Sequence, residues 1–570
     1  MRLDNQFARG EDHGKVATNT LYYGDNLKVL REHIADESVD LIYLDPPFNS
    51  NADYNVLFSE KGGEKAHSQI QAFEDTWEWD NEAAVNFADA VQNGGEHVAK
   101  CLLAFRTLLG ASDMLAYLAM MAPRLVELCR VLKPTGSIYL HCDDTASHYL
   151  KLLMDAVFRP GNFINEIIWE RSQTRSSISR SFRRAHDVIL FYSRSDDHKF
   201  NMQYRPLSEA SMKMYENEDS GGKFQAVPLL VSGKRNGKTG TTWRGIDPNT
   251  RGKAGMHWVT LPSKLEEYDK RGLVLWPDKK DGIPRLKYYL HQSPGVPLND
   301  IWDDVPLISS SAAESLGYPT QKPEALLERI INSGSDEGDV VLDPFCGCGT
   351  AVAAAQRLKR RWIGIDITHL AVNLIKVRLR DAFGPSIEKS YRVVGEPEDL
   401  ASAQALADED KYQFQYWALG LVSARPDKSQ EKKGADKGID GRLWLTDAMG
   451  EIKSVVISVK GGHVTVSQVR DLRGVVERED AAIGVFICIE EPTAPMRKEA
   501  ADAGFFIPKG LENTYGRAKY PRLQILTISD LLGGKRIEMP AQVDIRSFKQ
   551  APKARVKVAE PPKLFGSDPE

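Results

Sequence analysis

A doubly wound α/β fold with an insertion, followed by a second and smaller α/β domain, is what three features of this chain predict. Short apolar runs ending in turn residues alternate with stretches of helical periodicity, the pattern of βα units around a mostly parallel sheet. That alternation breaks off at about residue 196, returns after about 315, and gives way to a different one near 410. A chain of 570 residues is also too long for one hydrophobic core.

The elements follow in order. VDLIYLD (39–45) is a short apolar run closed by turn residues and reads as a buried strand. MLAYLAMMAPRLVELCRVL carries apolar residues at helical spacing and predicts a packed helix up to Lys133. After the break at Lys133-Pro134, GSIYLHCD (136–143) and DVILFYSR (187–194) are two more buried strands, completing a first region, 1–195. Between 196 and 315 Gly, Pro, Trp and charged residues accumulate, as in GKRNGKTGTTWRGIDPNTRGKAGMHW, and predict an inserted domain of short strands and loops. Regular alternation resumes over 316–395: a helix (EALLERIINSGS), a strand (VVLD, 340–343), a glycine turn, a helix (TAVAAAQRL) and a strand (RWIGID, 361–366). Residues 405–535 form the predicted second domain, and the Pro- and Lys-rich 541–570 a disordered tail.

Composition narrows the class. With 42% hydrophobic and 27% charged residues this is an ordinary soluble globular chain, and no run approaches the roughly 18 apolar residues of a membrane span. The opening MRLDNQFARG lacks the apolar centre of a signal peptide, so a cytoplasmic protein without a membrane partner is expected. The six cysteines include no CxxC pair, which indicates neither a zinc site nor a disulfide framework. A net charge of -5 does not announce a nucleic-acid binder, but binding depends on local charge. Arg171, Arg175, Arg180, Arg183 and Arg184 follow one another without an intervening acid, and Lys234, Arg235, Lys238, Arg244, Arg251 and Lys253 form a second basic stretch. The first suits contacts to phosphate or is a solvated face. In the second, Trp243 and Trp258 either read bases or pack a small core.

Two strand ends carry the chemistry. In VVLDPFCGCGTAVAAA (340–355) a buried strand enters a turn with Gly347 and Gly349, and a helix starts at about Thr350, leaving backbone N–H groups close to any ligand. The next strand ends in Asp366, the position where a nucleotide ribose is gripped through its hydroxyls. A dinucleotide fingerprint would place a third glycine at Val352, which argues against a dehydrogenase. LIYLDPPFNS puts Asp45, Pro46, Pro47 and Phe48 at the rim where open α/β sheets hold ligands. The Asp45 carboxylate and the Pro46 carbonyl can accept the two N–H bonds of an exocyclic amine while Phe48 stacks on the ring. Acceptors that favour a pyramidal nitrogen localise its lone pair and stabilise the developing positive charge. A base in a duplex reaches such a pocket only by rotating out of the stack.

DPPF together with DPFCGCGT resembles the DNA amino-methyltransferases that modify adenine N6 or cytosine N4, over roughly residues 20–385. The catalytic motif precedes the cofactor motif, as in the β-class of that family. The resemblance implies a Rossmann-like, S-adenosylmethionine-dependent methyltransferase core, a target-recognition region at 196–315, and double-stranded DNA as partner; a homodimer is left open. It further implies that Asp25, in YYGDNLKVL, faces the cofactor adenine, that Thr320, Lys322 and Pro323 of YPTQKPEALLERII wrap its methionine end, and that Asp343, Phe345, Gly347, Gly349 and Thr350 form its loop, with Asp366 on the ribose. Arg171, Arg175, Arg183 and Arg184 are then the expected DNA contacts. Ala351 stands where the family often has a second Thr. An Asp as first residue of the catalytic motif favours adenine within the family.

Farther along, GADKGIDG, VRDLRGVVEREDAAIGVFIC (469–488) and RKEAADAGFF (497–506) resemble the Mrr-like restriction endonuclease domains of the PD-(D/E)xK superfamily. The resemblance implies that Asp440 holds a magnesium ion and that Lys460, at the end of the strand VVISVK, is the catalytic lysine. One position departs: Ser458 stands where Glu, Asp or Gln is expected, and a hydroxyl is a poorer magnesium ligand. Either Glu451 migrates into that role or metal binding is lost, and the domain cleaves DNA, only binds it, or is purely structural.

Overall fold

The computed structural model describes residues 19–47, 79–171, 182, 184–279, 282–309, 312, 314–316, 318, 320–427, 438–446, 451–508 and 519–540. Phe48, Arg175, Arg180, Arg183 and the predicted tail at 541–570 lie outside them. The chain divides into two units: residues 202–299 form one, and the segments before and after them form the other.

In the larger unit a nine-stranded sheet is built from β1 (Asn19–Tyr23), β2 (Val39–Leu44), β3 (Leu132–Cys142), β4 (Phe163–Glu170), β5 (His186–Ser193), β6 (Ile301–Trp302), β7 (Val340–Asp343), β8 (Arg361–Asp366) and β9 (Tyr391–Val394). Their spatial order is β6-β4-β5-β3-β2-β7-β8-β1-β9. All neighbours run parallel except β5, which is antiparallel to both β3 and β4. β3 spans Lys133-Pro134, and its register with β2 shifts between Leu132 and Ser137, where the break was predicted. β6 brings the chain back into this sheet well before the predicted return at 316.

Side chains alternate across the strands, so each face acquires its own core. Ile42, Leu44, Ile138, Leu140, Leu190 and Leu342 lie on one face. There they meet α1 (Asn26–His33), α2 (Asn81–Asn93), α3 (Glu96–Leu109), α4 (Asp113–Val131) and α5 (Ser147–Phe158). Leu41, Tyr43, Tyr139, Ile189 and Val341 face the other way, against α6 (Glu324–Gly334), α7 (Thr350–Arg357) and α8 (His369–Phe383). Both faces are covered by helices, so the sheet is doubly wound. No helix among the described residues is long and apolar enough to cross a membrane.

Two helices, α9 (Leu400–Glu409) and α10 (Lys411–Leu421), lead into a five-stranded sheet. Its strands lie in the order β10 (Arg425–Pro426), β11 (Gly441–Thr446), β12 (Ile452–Lys460), β13 (Ile483–Cys488) and β14 (Leu523–Thr527), with α11 (Val466–Arg478) and α12 (Ala494–Asp502) between strands. Helical periodicity gives α10 two faces. Phe414, Trp417, Ala418 and Leu419 join the core of this smaller sheet. Tyr412 and Tyr416 pack instead with Leu316, Cys348, Leu370 and Leu374.

The unit at 202–299 holds a four-stranded antiparallel sheet (Val274–Leu275, Arg285–Tyr289, Gly222–Pro228, Asn217–Asp219) and the helix Pro262–Lys270. Its core gathers Leu229, Leu230, Trp243, Trp258, Leu265 and Tyr268. Trp258 is wholly buried and its Nε1–H donates to the Thr241 carbonyl. Of the two roles open to the tryptophans, packing is the one observed. Arg244 of the basic stretch pairs with Glu266 and Asp269.

Candidate active site

Parallel strands deliver their C-terminal ends to one rim, and several carboxylates arrive there. Asp45 follows β2, Asp343 ends β7, Asp366 ends β8, Asp25 follows β1, and Asp187 stands at the start of antiparallel β5. The catalytic and cofactor motifs, far apart in the chain, are neighbours because β2 pairs with β7.

The cofactor loop is built from left-handed glycines. Gly347 (φ +48°) and Gly349 (φ +74°) make the turn, and Gly349 caps α7. A Cβ at Gly349 would lie 2.6 Å from Ile375 and one at Gly347 3.2 Å from Tyr318, so only glycine fits between the loop and its backing. Asp366 is tied to the same loop. Its Oδ2 accepts the Gly347 N–H (2.9 Å) and its Oδ1 accepts the N–H (3.0 Å) and hydroxyl (2.9 Å) of Thr368. Burial pushes Asp366 up to about 6, against those three donors. Each carboxylate oxygen accepts about two bonds, so Oδ2 has room for one hydroxyl more. Asp343 accepts the Phe345 N–H (3.1 Å), and burial, helped by the charges of Asp45 and Asp366, holds its carboxyl far above the usual range.

Other assigned residues are placed as follows. Asp25 caps α1 through the Leu27 N–H (2.7 Å) and pairs with Arg124 (3.1 Å) while staying half-exposed. Pro323 precedes α6 as its N-cap, with Thr320 just upstream. The Thr350 side chain is buried and receives a hydrogen bond from Arg378 (3.0 Å), so only its backbone is left to face a ligand. Arg378 had no signal in the sequence. An arginine in an amphipathic helix reads as a solvated residue, yet it is buried and also donates to the Cys348 carbonyl (3.2 Å) and to Glu324 (2.9 Å). The cysteines of the loop are both buried.

The Lys322 ammonium, assigned to the cofactor segment by the resemblance, lies 2.5 Å from Asp45 Oδ2, and the two side chains are only 10% and 15% exposed. The other oxygen, Asp45 Oδ1, is buried and accepts no hydrogen bond among the described residues. Leaving a buried acceptor unmet costs roughly 1–3 kcal/mol, so such an atom marks a place for an incoming donor. Of the expected DNA contacts that are described, Arg171 lies 3.1 Å from buried Asp187 and Arg184 3.0 Å from Asp144.

In the smaller sheet, Asp440 and Lys460 meet across the β11–β12 hairpin as expected, 3.6 Å apart. The same oxygen of Asp440 accepts the Val459 N–H (2.7 Å) and the Ser458 hydroxyl (3.2 Å). Glu451 pairs with Lys453 (3.1 Å) and precedes β12, seven positions before Ser458. At about 3.3 Å per strand residue that is roughly 23 Å away, so it does not replace the missing ligand. Among the described residues no three His, Cys, Asp or Glu side chains converge as a metal site. Asp440 brings one carboxylate, and Ser458 sets a hydroxyl, a poorer magnesium ligand, where the resemblance leads to a second acidic or amide side chain.

A doubly wound sheet with a glycine loop and several strand-end carboxylates on one rim is the arrangement in which open α/β folds hold an adenosine-type cofactor. Comparison narrows this: residues 39–377 match the family model described as DNA methylase, and the chain belongs to that family. Its cofactor is S-adenosylmethionine. Residues 424–533 match a second model, NACHT-associated inactive restriction endonuclease 1, so the C-terminal domain is restriction-endonuclease-like. The chain is 30% identical over 380 residues to the type II methyltransferase M.EcaI of Enterobacter cloacae, covering 66% of this chain and 72% of that protein. It is also 30% identical over 357 residues to the Mod subunit of the type III restriction-modification enzyme StyLTI of Salmonella typhimurium (60% of this chain, half of that one). Among solved structures, the M1.HpyAVI–SAM complex is similar at 14% identity and a TM-score of 0.26, covering 61% of this chain and 92% of that one.

Proposed function

We propose that the chain methylates adenine N6 at a specific DNA sequence, as the modification enzyme of a restriction–modification system, and that its C-terminal domain binds DNA without cutting it. The observation that carries the first part is the unpartnered Asp45 Oδ1 at the end of β2. An exocyclic amine brings two N–H donors, and Asp45 Oδ1 and the Pro46 carbonyl are the acceptors for them. Accepting both draws the nitrogen lone pair out of the ring, and the carboxylate offsets the positive charge that grows on nitrogen during transfer. Lys322 pairs with the other oxygen and ties Asp45 to the segment before α6, so the catalytic group is fixed from both halves of the core. S-adenosylmethionine supplies the electrophilic methyl group when bound, held by the Gly347–Gly349 loop and by Asp366, with Asp25 toward its base. Adenine is preferred over cytosine on the family resemblance of the Asp-Pro-Pro-Phe motif.

The second part rests on Asp440. A metal-binding carboxylate must present open lone pairs, whereas one oxygen of this carboxylate, Oδ2, already meets Ser458, Val459 and Lys460. The experiment is incubation of the purified chain with plasmid DNA and labelled S-adenosylmethionine, with and without magnesium, read by nucleoside analysis and a gel. Label in N6-methyladenine and an intact plasmid are expected. Label in N4-methylcytosine would reverse the base assignment, and magnesium-dependent fragments would restore the cleaving reading.

A further inference from the structure

Beneath Asp45 lies a buried polar chain that the transfer chemistry above does not use. Tyr43, His141 and Asp187 sit on the adjacent strands β2, β3 and β5, and each is at most 2% exposed. The Tyr43 hydroxyl lies 3.0 Å from His141 Nδ1, and His141 Nε2 lies 3.2 Å from Asp187 Oδ2. Burial would raise the Asp187 carboxyl, but the His141 bond and the surrounding charges, Arg171 and Lys322 among them, hold it below the usual range. Asp187 Oδ2 accepts from His141 Nε2, and an imidazole that carries its one proton there accepts the Tyr43 O–H at Nδ1.

The geometry aims this chain at the catalytic carboxylate. Tyr43 lies on β2 two residues before Asp45, which follows the strand. Leu44, the last paired residue of β2, lies opposite Leu140, one residue before His141. The Tyr43 hydroxyl reaches across to His141, and Asp45 is the largest charge acting on it. A buried hydroxyl must donate somewhere. With His141 taking that bond, Asp45 Oδ1 stays open.

Resting on the methyltransferase reading, we infer that His141, oriented by Asp187, is a positioning residue that draws the Tyr43 hydroxyl away from Asp45 and so keeps its acceptor vacant for the target amine. Without an acceptor at position 141, Tyr43 turns to Asp45 Oδ1 and competes with the substrate. Competition for one acceptor predicts a rescue that general damage to the core does not.

The test is steady-state methylation of DNA by the full chain, calorimetric S-adenosylmethionine binding, and crystal structures of the variants. His141→Leu should lower kcat at least tenfold with cofactor affinity within twofold of the parent, and should place Tyr43 Oη within hydrogen-bond reach of Asp45. His141→Gln, whose amide both donates and accepts, should retain most of kcat. The double variant His141→Leu/Tyr43→Phe should recover most of what His141→Leu loses. An undiminished kcat in His141→Leu, or a double variant as slow as the single one, would overturn the inference. A parent chain that transfers no methyl group defeats the functional reading instead; the crystal structure of His141→Leu then decides the inference alone, since a Tyr43 hydroxyl still turned away from Asp45 refutes it.

Discussion

Asp45 and Asp440 are both strand-end carboxylates with a lysine beside them, and their surroundings differ in one respect. Asp45 shares one oxygen with Lys322 and leaves the other buried without a donor. Asp440 gathers a backbone N–H, a hydroxyl and an ammonium on one oxygen. An unmet acceptor is a cost to the fold that a ligand repays, whereas a carboxylate met by its own chain has little left to offer. On the proposed function the contrast is one between an acceptor kept for substrate and a carboxylate held by its own chain, and it can be broken at either end.

The largest effect is expected at the open acceptor. Asp45→Ala should lower kcat by about 10²–10³-fold, the usual loss when one preorganised group is removed from a transition state. Affinity for S-adenosylmethionine should stay within about twofold of the parent by calorimetry, because Asp45 faces the amine and not the ribose. A variant that loses cofactor binding instead would erase the distinction between the two carboxylates of this rim.

Next in size is the helix shared by the two domains. Tyr416 is buried against Cys348, Leu370 and Leu374 behind the cofactor loop, while Phe414 and Trp417 of the same helix fill the C-terminal core. Asn373 also donates to the Tyr416 carbonyl (2.9 Å). Tyr416→Ala should cost about 3 kcal/mol in denaturant unfolding, as large-to-small core changes do. Melting of both domains together is the expected form. Loss confined to the C-terminal domain would show that α10 does not brace the cofactor half.

Asp366 sharpens the comparison by pH. Its carboxyl titrates at about 6, so the ionised acceptor for a ribose hydroxyl is lost as pH falls through that value, and cofactor affinity should weaken below it. Stability has the opposite sign: the folded chain holds that proton more tightly than the unfolded one, an advantage lost as pH rises from about 4 toward 6. Asp366→Asn should bind the cofactor roughly 10–100-fold more weakly, the worth of a charge-assisted bond, with no inflection near pH 6. An inflection that persists in the variant would assign the titration to another group.

The strand ends were legible in the sequence because each motif is local. An apolar run, a turn and a helix start all lie within the one segment 340–355, and the fold class follows from repeating that unit. What was not legible depends on register. Lys322 meets Asp45, and His141 joins Tyr43 to Asp187, only once β2 lies between β7 and β3 and β3 lies beside β5. Arg171 and Arg184 read as a basic face because their partners, Asp187 and Asp144, come from elsewhere in the chain. Trp243 and Trp258 could not be assigned until the small core around them was visible. The departure at Ser458 was plain in the sequence, but not the way Asp440 had been satisfied.

That last point carries the smallest expected effect and the most direct test of decay. Asp440→Asn and Lys460→Ala should leave methylation unchanged and shift stability by at most about 1 kcal/mol, since Lys460 is a third exposed and its pairing is screened by solvent. Magnesium or manganese should not raise the melting temperature of the parent chain, because the Asp440 carboxylate already accepts from its own chain. Ser458→Asp sets a second carboxylate at the same strand position, facing Asp440 in place of a hydroxyl that now donates to it. Two carboxylates at that distance repel, so the variant should melt lower without metal and recover when manganese is supplied, by the linkage of binding to folding. If the parent already melts higher with metal, Asp440 is not a remnant and its three donors give way to an ion. If Ser458→Asp gains nothing from metal, more than one ligand of the ancestral site is missing.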